Sequence, residues 1–298
     1  MGTYRPTWAA FMTDDDWSAF ESIVRLYFDA RGERMEVVNG SVFVNGDRDP
    51  QMSLGNVAAA CAGRERSTWA EVVARHFDDL RTSVEEQQDL ERKAQTFKDV
   101  RSLLALRIYP EAATPFSDQL YVRQDLEGTD TFVVFDLPTS VTHVNRSQTK
   151  SWGLTDEEIF MVAEQNLNAR PFPKRRMDPG PFGQQMHVFQ DDVFTASNVL
   201  RAYEMAKYDG AYGSLVAIPA RETLMIHPLE GPASRDVFVE LGMYATKVFL
   251  KYPGAITPFL FWHHKGTFTR CGSGSPTVEE MRPSVPEALT RLLYPTQS

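Results

Sequence analysis

One supersecondary plan occurs twice in the second half of this chain, and it constrains the fold more than any other feature. From Thr131 to Leu167 an apolar run (Phe132-Val133-Val134-Phe135) meets an Asp-Leu-Pro break, then an alternating run (Val141-Thr142-His143-Val144), then a helical stretch. From Ser214 to Leu250 the order repeats: Leu215-Val216-Ala217-Ile218, a break at Pro219, Leu224-Met225-Ile226, and a helix. Short apolar runs bounded by turn residues read as buried strands, and spacing of three and four reads as a helix. The repeat therefore predicts two related strand-strand-helix units, 131–167 and 214–250, in a C-terminal domain over 101–298.

The first hundred residues predict a helical region with a hairpin. Thr13 followed by Asp14-Asp15-Asp16 is a helix start: a capping hydroxyl, then carboxylates at the positive end of the dipole. Trp17, Phe20, Val24 and Tyr27/Phe28 continue it at helical spacing, to Gly32. Asn39-Gly40 between Val37-Val38 and Val42 to Val44 is the strongest short hairpin signal. Leu54 to Ala62 reads as a small-residue helix, and Thr68 with Glu71 as the capping box of another. Val84 to Asp99 reads as an exposed helix or a connection, and Arg101 to Tyr109 as the end of a helix or, because Pro110 follows, a strand.

Beyond the first unit, four prolines and a glycine between Pro171 and Pro181 predict a surface loop that carries Lys174-Arg175-Arg176. Met186 to Phe189 and Val193-Phe194 read as short strands. Ser197 reads as the cap of a helix, and His263-His264-Lys265-Gly266 as the tip of a hairpin. A short helix through Val285, Leu289, Leu292 and Leu293 completes the chain. Helices and tightly joined strands without a long parallel series predict an α+β fold with a mixed or antiparallel sheet.

Composition bears on compartment and partners. The formal charge of −9 is unsuited to phosphate backbones and anionic membranes, so neither a nucleic acid nor a membrane is expected as a partner. No apolar run approaches the roughly 18 residues of a membrane helix. The start, Met-Gly-Thr-Tyr-Arg-Pro, lacks an apolar signal core, and two distant cysteines, Cys61 and Cys271, make no disulfide framework. A cytoplasmic location follows as the expectation. The excess of Arg over Lys points to a GC-rich bacterial genome.

Several segments together resemble the YtpQ-like family of bacterial proteins, which carry a domain of unknown function. They are Leu103 to Pro110, Leu120-Tyr121-Val122, Phe132 to Pro138, Trp152-Gly153-Leu154 and Asn166-Leu167, then Ala196-Ser197, Ile218-Pro219-Ala220-Arg221-Glu222 and Pro258 to Phe261. The resemblance spans roughly residues 103–270. It implies fold and compartment and carries no mechanism. Where the family often has Arg-Asp, this chain has Arg221-Glu222.

No Walker loop, dinucleotide fingerprint, nucleophile elbow or zinc-protease motif is present, so no cofactor and no metal is expected. The candidate residues each admit two readings. Ser197 is a helix cap, or a nucleophile at a helix N-terminus that a histidine and a carboxylate such as Asp136 would serve. Lys174, Arg175 and Arg176 are a solvated loop or a grip for phosphate or carboxylate. His263-His264 point to opposite faces of a strand and are solvated, unless Asp191-Asp192 join one of them at a metal. Arg221 and Glu222 either fix a turn by pairing or line a groove. The leading functional class is a non-catalytic module that binds a protein or a small molecule; a hydrolase or transferase assembled only by the fold is the alternative.

Overall fold

A computed structural model describes residues 5–6, 9–38, 41–111, 117–178, 186–231, 234–252, 254–274, 282 and 284–293. The chain divides into two compact units, residues 1–90 and 91–298. Helices and antiparallel sheets make both α+β.

The first unit begins with α1 (Asp14–Asp29), where the Thr13 hydroxyl accepts from the Asp16 amide at 3.0 Å, as a capping residue should. β1 (Met35–Val38) and β2 (Ser41–Val44) pair antiparallel, with Val38 opposite Ser41. The Asn39-Gly40 turn lies outside the described residues. A second Asn-Gly, Asn45-Gly46, turns β2 into β3 (Asp47–Ser53) with both residues at positive φ, 56° and 81°. That is the backbone a tight hairpin demands. α2 (Gly55–Ala62) and the long α3 (Trp69–Lys93) follow. The expected capping box is absent: Thr68 ends a 3-10 turn and donates its hydroxyl to the Glu65 carbonyl. α1 buries Trp17, Phe20, Val24 and Phe28 against Val57, Cys61, Val73 and Phe77. Phe28 and Phe77 meet edge-on at 4.9 Å, and full burial of such a ring contributes about 2–3 kcal/mol.

In the second unit, α4 (Phe97–Val100) leads into β4 (Leu104–Pro110). β5 (Val122–Arg123), β6 (Thr129–Asp136) and β7 (Val141–His143) complete a four-stranded sheet in which β4 lies on one side of β6, and β5 and β7 on the other. α5 (Asp156–Ala169) starts at a true capping box, Thr155 with Glu158. It packs on β4 and β6 through Ile159, Ala163 and Leu167; Val162 is only half-buried, while Phe160 is buried.

β8 (Arg175–Asp178) and β9 (Met186–Gln190) come next, then α6 (Ala202–Ala206), β10 (Ser214–Ala220), β11 (Thr223–Pro228) and α7 (Ser234–Lys251). β12 (Leu260–His264), β13 (Thr267–Cys271) and α8 (Glu287–Leu293) finish the unit. The second sheet runs β13-β12-β10-β11-β9-β8, antiparallel throughout. Phe189, Val216, Ile218, Leu224, Ile226 and Phe261 fill one of its faces. α7 covers the other through Leu241, Ala245 and Val248.

Both strand-strand-helix units are present, with β6/β7 and β10/β11 antiparallel and each followed by a helix. They belong to two different sheets of this unit. β10 also continues through Pro219 rather than breaking there. The register shifts between Ala217 and Ala220, an irregularity that tolerates a residue without an amide donor.

Three further expectations fail for local reasons. The basic segment after Pro173 is not a free loop: Arg175–Asp178 pair with Met186–Phe189 as an edge strand, the one sheet position where flanking prolines do no harm. Val193-Phe194 form a turn instead of a strand, because the Asp192 carboxylate accepts the Phe194 amide at 2.8 Å. Val285 precedes α8 and is exposed, and Leu289 alone is shown buried there.

Candidate functional site

The four-stranded sheet carries two faces of different chemistry. Leu104, Leu106, Val133 and Phe135 are wholly buried, on the side that α5 covers. The alternate residues of β4 on the other face are Ala105, Arg107 and Tyr109. Register places Arg107 opposite Phe132, and Val134 opposite His143, so these share that face. The Tyr109, Phe132 and His143 rings pack mutually with centroids 5.0–5.4 Å apart. Phe194, from the turn after β9, closes over Phe132 and Val134.

Arg107 is the anomaly of this face. It is 8% exposed, its Nε has no hydrogen-bond partner, and no ion pair among the described residues includes it. Its neighbours are ring faces: Cζ lies 5.1 Å from the Tyr109 centroid and 5.9 Å from that of Phe194. A buried charge without its partner costs about 3–5 kcal/mol, well above the ~1–2 that a cation–π contact returns. Burial pulls this guanidinium below its ordinary pKa; nearby Arg221 adds to the fall, while Tyr109, Asp136 and Glu222 oppose it. Burial and Arg107 together lower His143, whose Nε2 is also without a partner. Burial raises Tyr109.

Arg221 and Glu222 form the turn between β10 and β11, at the margin of this cluster. Arg221 Nε stands 3.5 Å from Glu222 Oε1, with the side chains 35% and 46% exposed. The Arg221 stem crosses Gly254 (φ +74°), where a Cβ would sit 2.6 Å from its Cδ, so only glycine lets it pass. Asp136 is held by Arg170, whose guanidinium also covers the Phe194 ring at 4.5 Å. Arg170 and Phe194 border a polar cleft of about 270 Å³ that Asp191, Asp192 and Asn198 also line.

Ser197 is not an N-cap: Thr195 holds that position for the 3-10 turn around it, and Arg201 for α6. Ser197 is 1% exposed inside the 3-10 turn Ala196–Leu200, and no hydrogen bond among the described residues joins it to Asp136 or to a histidine. Lys174 and Arg175 are exposed; the Arg176 side chain lies outside the described residues. His263 is not solvated: it is 1% exposed and hydrogen-bonds Asp209, while His264 stacks on Trp262 at 4.9 Å. No group of residues suited to a metal ion occurs among the described residues. Cys61 and Cys271 are buried, and burial pushes their thiols up to about 11 and about 12. No helix among the described residues is long and apolar enough to cross a membrane.

A second feature escaped the sequence reading. α7 carries two apolar stripes. One faces the sheet; the other, Val239, Met243 and Leu250, is 55%, 66% and 62% exposed. With Phe238, Pro258 and Phe259 this outer stripe borders an apolar groove of about 590 Å³, in which Lys247 and Lys251 are the only charged lining residues among the described residues. The spacing 239, 243, 246, 250 was legible as a helical period once α7 was placed. Arg107 was legible as the single charge in the run Leu104 to Tyr109.

The chain matches no protein-family model, no curated protein and no solved structure.

Proposed function

We propose that this chain is a non-catalytic interaction module that docks an amphipathic helix of a partner protein in the groove beside α7. The carrying observation is the groove itself. Single exposed apolar residues are ordinary, but a continuous apolar channel on a helix already packed on its opposite side leaves surface that a partner would remove from water. An inserted helix presents apolar anchors at i, i+3, i+4 and i+7, and the flexible Met243 side chain adapts to such anchors. Lys247 and Lys251, on a chain of net charge −9, favour acidic residues beside those anchors. The resemblance to the YtpQ-like family, buried free thiols and the Arg-rich composition support a bacterial cytoplasmic setting for the module.

A designed amphipathic peptide with leucine anchors and glutamate flanks tests this by fluorescence polarisation. It should bind at least about tenfold more tightly than the same peptide with lysine flanks, a difference of about 1.4 kcal/mol. Met243→Asp and Leu250→Asp should each abolish the signal. Absence of binding by either peptide would overturn the proposal. So would concentration-dependent dimerisation that Met243→Asp abolishes, because the groove would then be an interface between copies of this chain.

A further inference from the structure

We propose that Arg107 is the anchor of a binding site for a small aromatic monocarboxylate, with the half-buried Tyr109 and His143 rings at its accessible margin and Phe132 and Phe194 packed behind them. This site lies on the four-stranded sheet and does not depend on the α7 groove.

Charge selects the ligand class. Arg170 is paired with Asp136, and Arg221 Nε lies 3.5 Å from Glu222 without a hydrogen bond; among the described residues this leaves Arg107 as the cation of the cluster that no ion pair includes. One negative charge completes it; a phosphate dianion would leave an excess and would meet Asp136 and Glu222 nearby. Guanidinium and carboxylate are both planar and form two parallel hydrogen bonds, and the free Arg107 Nε is one of the donors such a pair requires. His143 Nε2, equally unpartnered, supplies a further polar contact on the same face.

Shape and surroundings select the ligand body. The Tyr109 and Phe194 rings lie against the Arg107 guanidinium, so an apolar, flat group beside it gains offset or edge-on contacts that an aliphatic polar ligand would not. Tyr109, His143, Arg221 and Glu222 are half-buried and form the exposed margin of the cluster. Retaining an uncompensated guanidinium in a strand is costly for the free protein. A ligand that neutralises it converts that cost into affinity, because desolvation of the arginine has already occurred on folding.

The experiment uses the full chain and benzoate, with benzyl alcohol and inorganic phosphate as comparisons. Benzoate should raise the melting temperature and bind in calorimetry, benzyl alcohol should not, and phosphate should bind at least about tenfold more weakly. Arg107→Met keeps the stem and removes the charge; the variant should be at least as stable as the parent without ligand and should lose the benzoate response. The Hε1 resonance of His143, assigned through His143→Gln, should shift with benzoate and stay put with benzyl alcohol. That readout in the unmutated chain decides the matter if Arg107→Met does not fold. No response to benzoate at millimolar concentration, a response that survives Arg107→Met, or tighter binding of phosphate would each overturn the proposal.

Discussion

Asp209 Oδ1 lies 2.8 Å from His263 Nδ1 and accepts a second hydrogen bond, also 2.8 Å, from Ser214 Oγ. One carboxylate oxygen thus ties the segment after α6 to β12 and to the start of β10, beneath a histidine that is 1% exposed. Removing Asp209 strands His263 without water, whereas the Asp209 side chain is 21% exposed. Asp209→Ala should cost about 1–3 kcal/mol in urea denaturation, and His263→Ala more, since it also deletes a ring packed at 4.6 Å on Phe268. A change below about 0.5 kcal/mol in Asp209→Ala would show that the bond contributes no net stability.

Gly213, beside that network, has φ +83°, and a Cβ there would lie 2.1 Å from the His263 carbonyl oxygen. Backbone cannot yield as a side-chain tip can. Gly213→Ala should therefore destabilise by at least about 2 kcal/mol. Gly266, at φ +76° with open space around it, is the control: alanine there carries only the left-handed backbone cost of about 1–2 kcal/mol. Equal losses at the two positions would disprove the steric argument.

The Arg221–Glu222 pair is long, 3.5 Å, and its side chains are 35% and 46% exposed, so its electrostatic worth is about 0–1 kcal/mol. Glu222→Ala should shift the melting temperature little. Arg221→Ala should lower it more, through loss of the stem packed across Gly254 rather than loss of the ion pair. Thermal melts of both variants at low and high salt separate the two causes; a strong salt dependence of the Arg221→Ala effect would restore the ion pair as the main term.

Burial lowers His76, His143 and His187 below the ordinary value of 6.5; Arg107 contributes at His143, and Arg175 and His227 at His187. Below about pH 6.5 the unfolded chain binds protons that the folded chain does not yet accept, so stability falls as pH drops from there toward the lowered folded values. Melting temperature should be flat from pH 8 to about 7 and decline below 6.5. His143→Gln should flatten the decline. An undiminished slope would mean that His143 takes up its proton in the fold as easily as in the unfolded chain.

What the sequence determined by itself was local. The Thr13 cap, the strands at Leu104 and Phe132, and the strand-strand-helix order of both units follow from hydrogen bonds and periodicities that span a few residues. Two expectations gave way to partners that periodicity does not show: an edge pairing with Met186–Phe189 made a strand of Arg175–Asp178, and a carboxylate turn two residues long made none of Val193-Phe194. Only the tertiary structure decided the sites. Arg107 is one charge in an apolar run until register sets it beside Tyr109, Phe132 and His143 and Phe194 closes over it. The outer stripe of α7 is indistinguishable from core until the sheet takes the other stripe. Burial and charge pairing are properties of what the fold brings together, and residues such as Arg107 and Arg221, more than a hundred positions apart, carry no local trace of meeting.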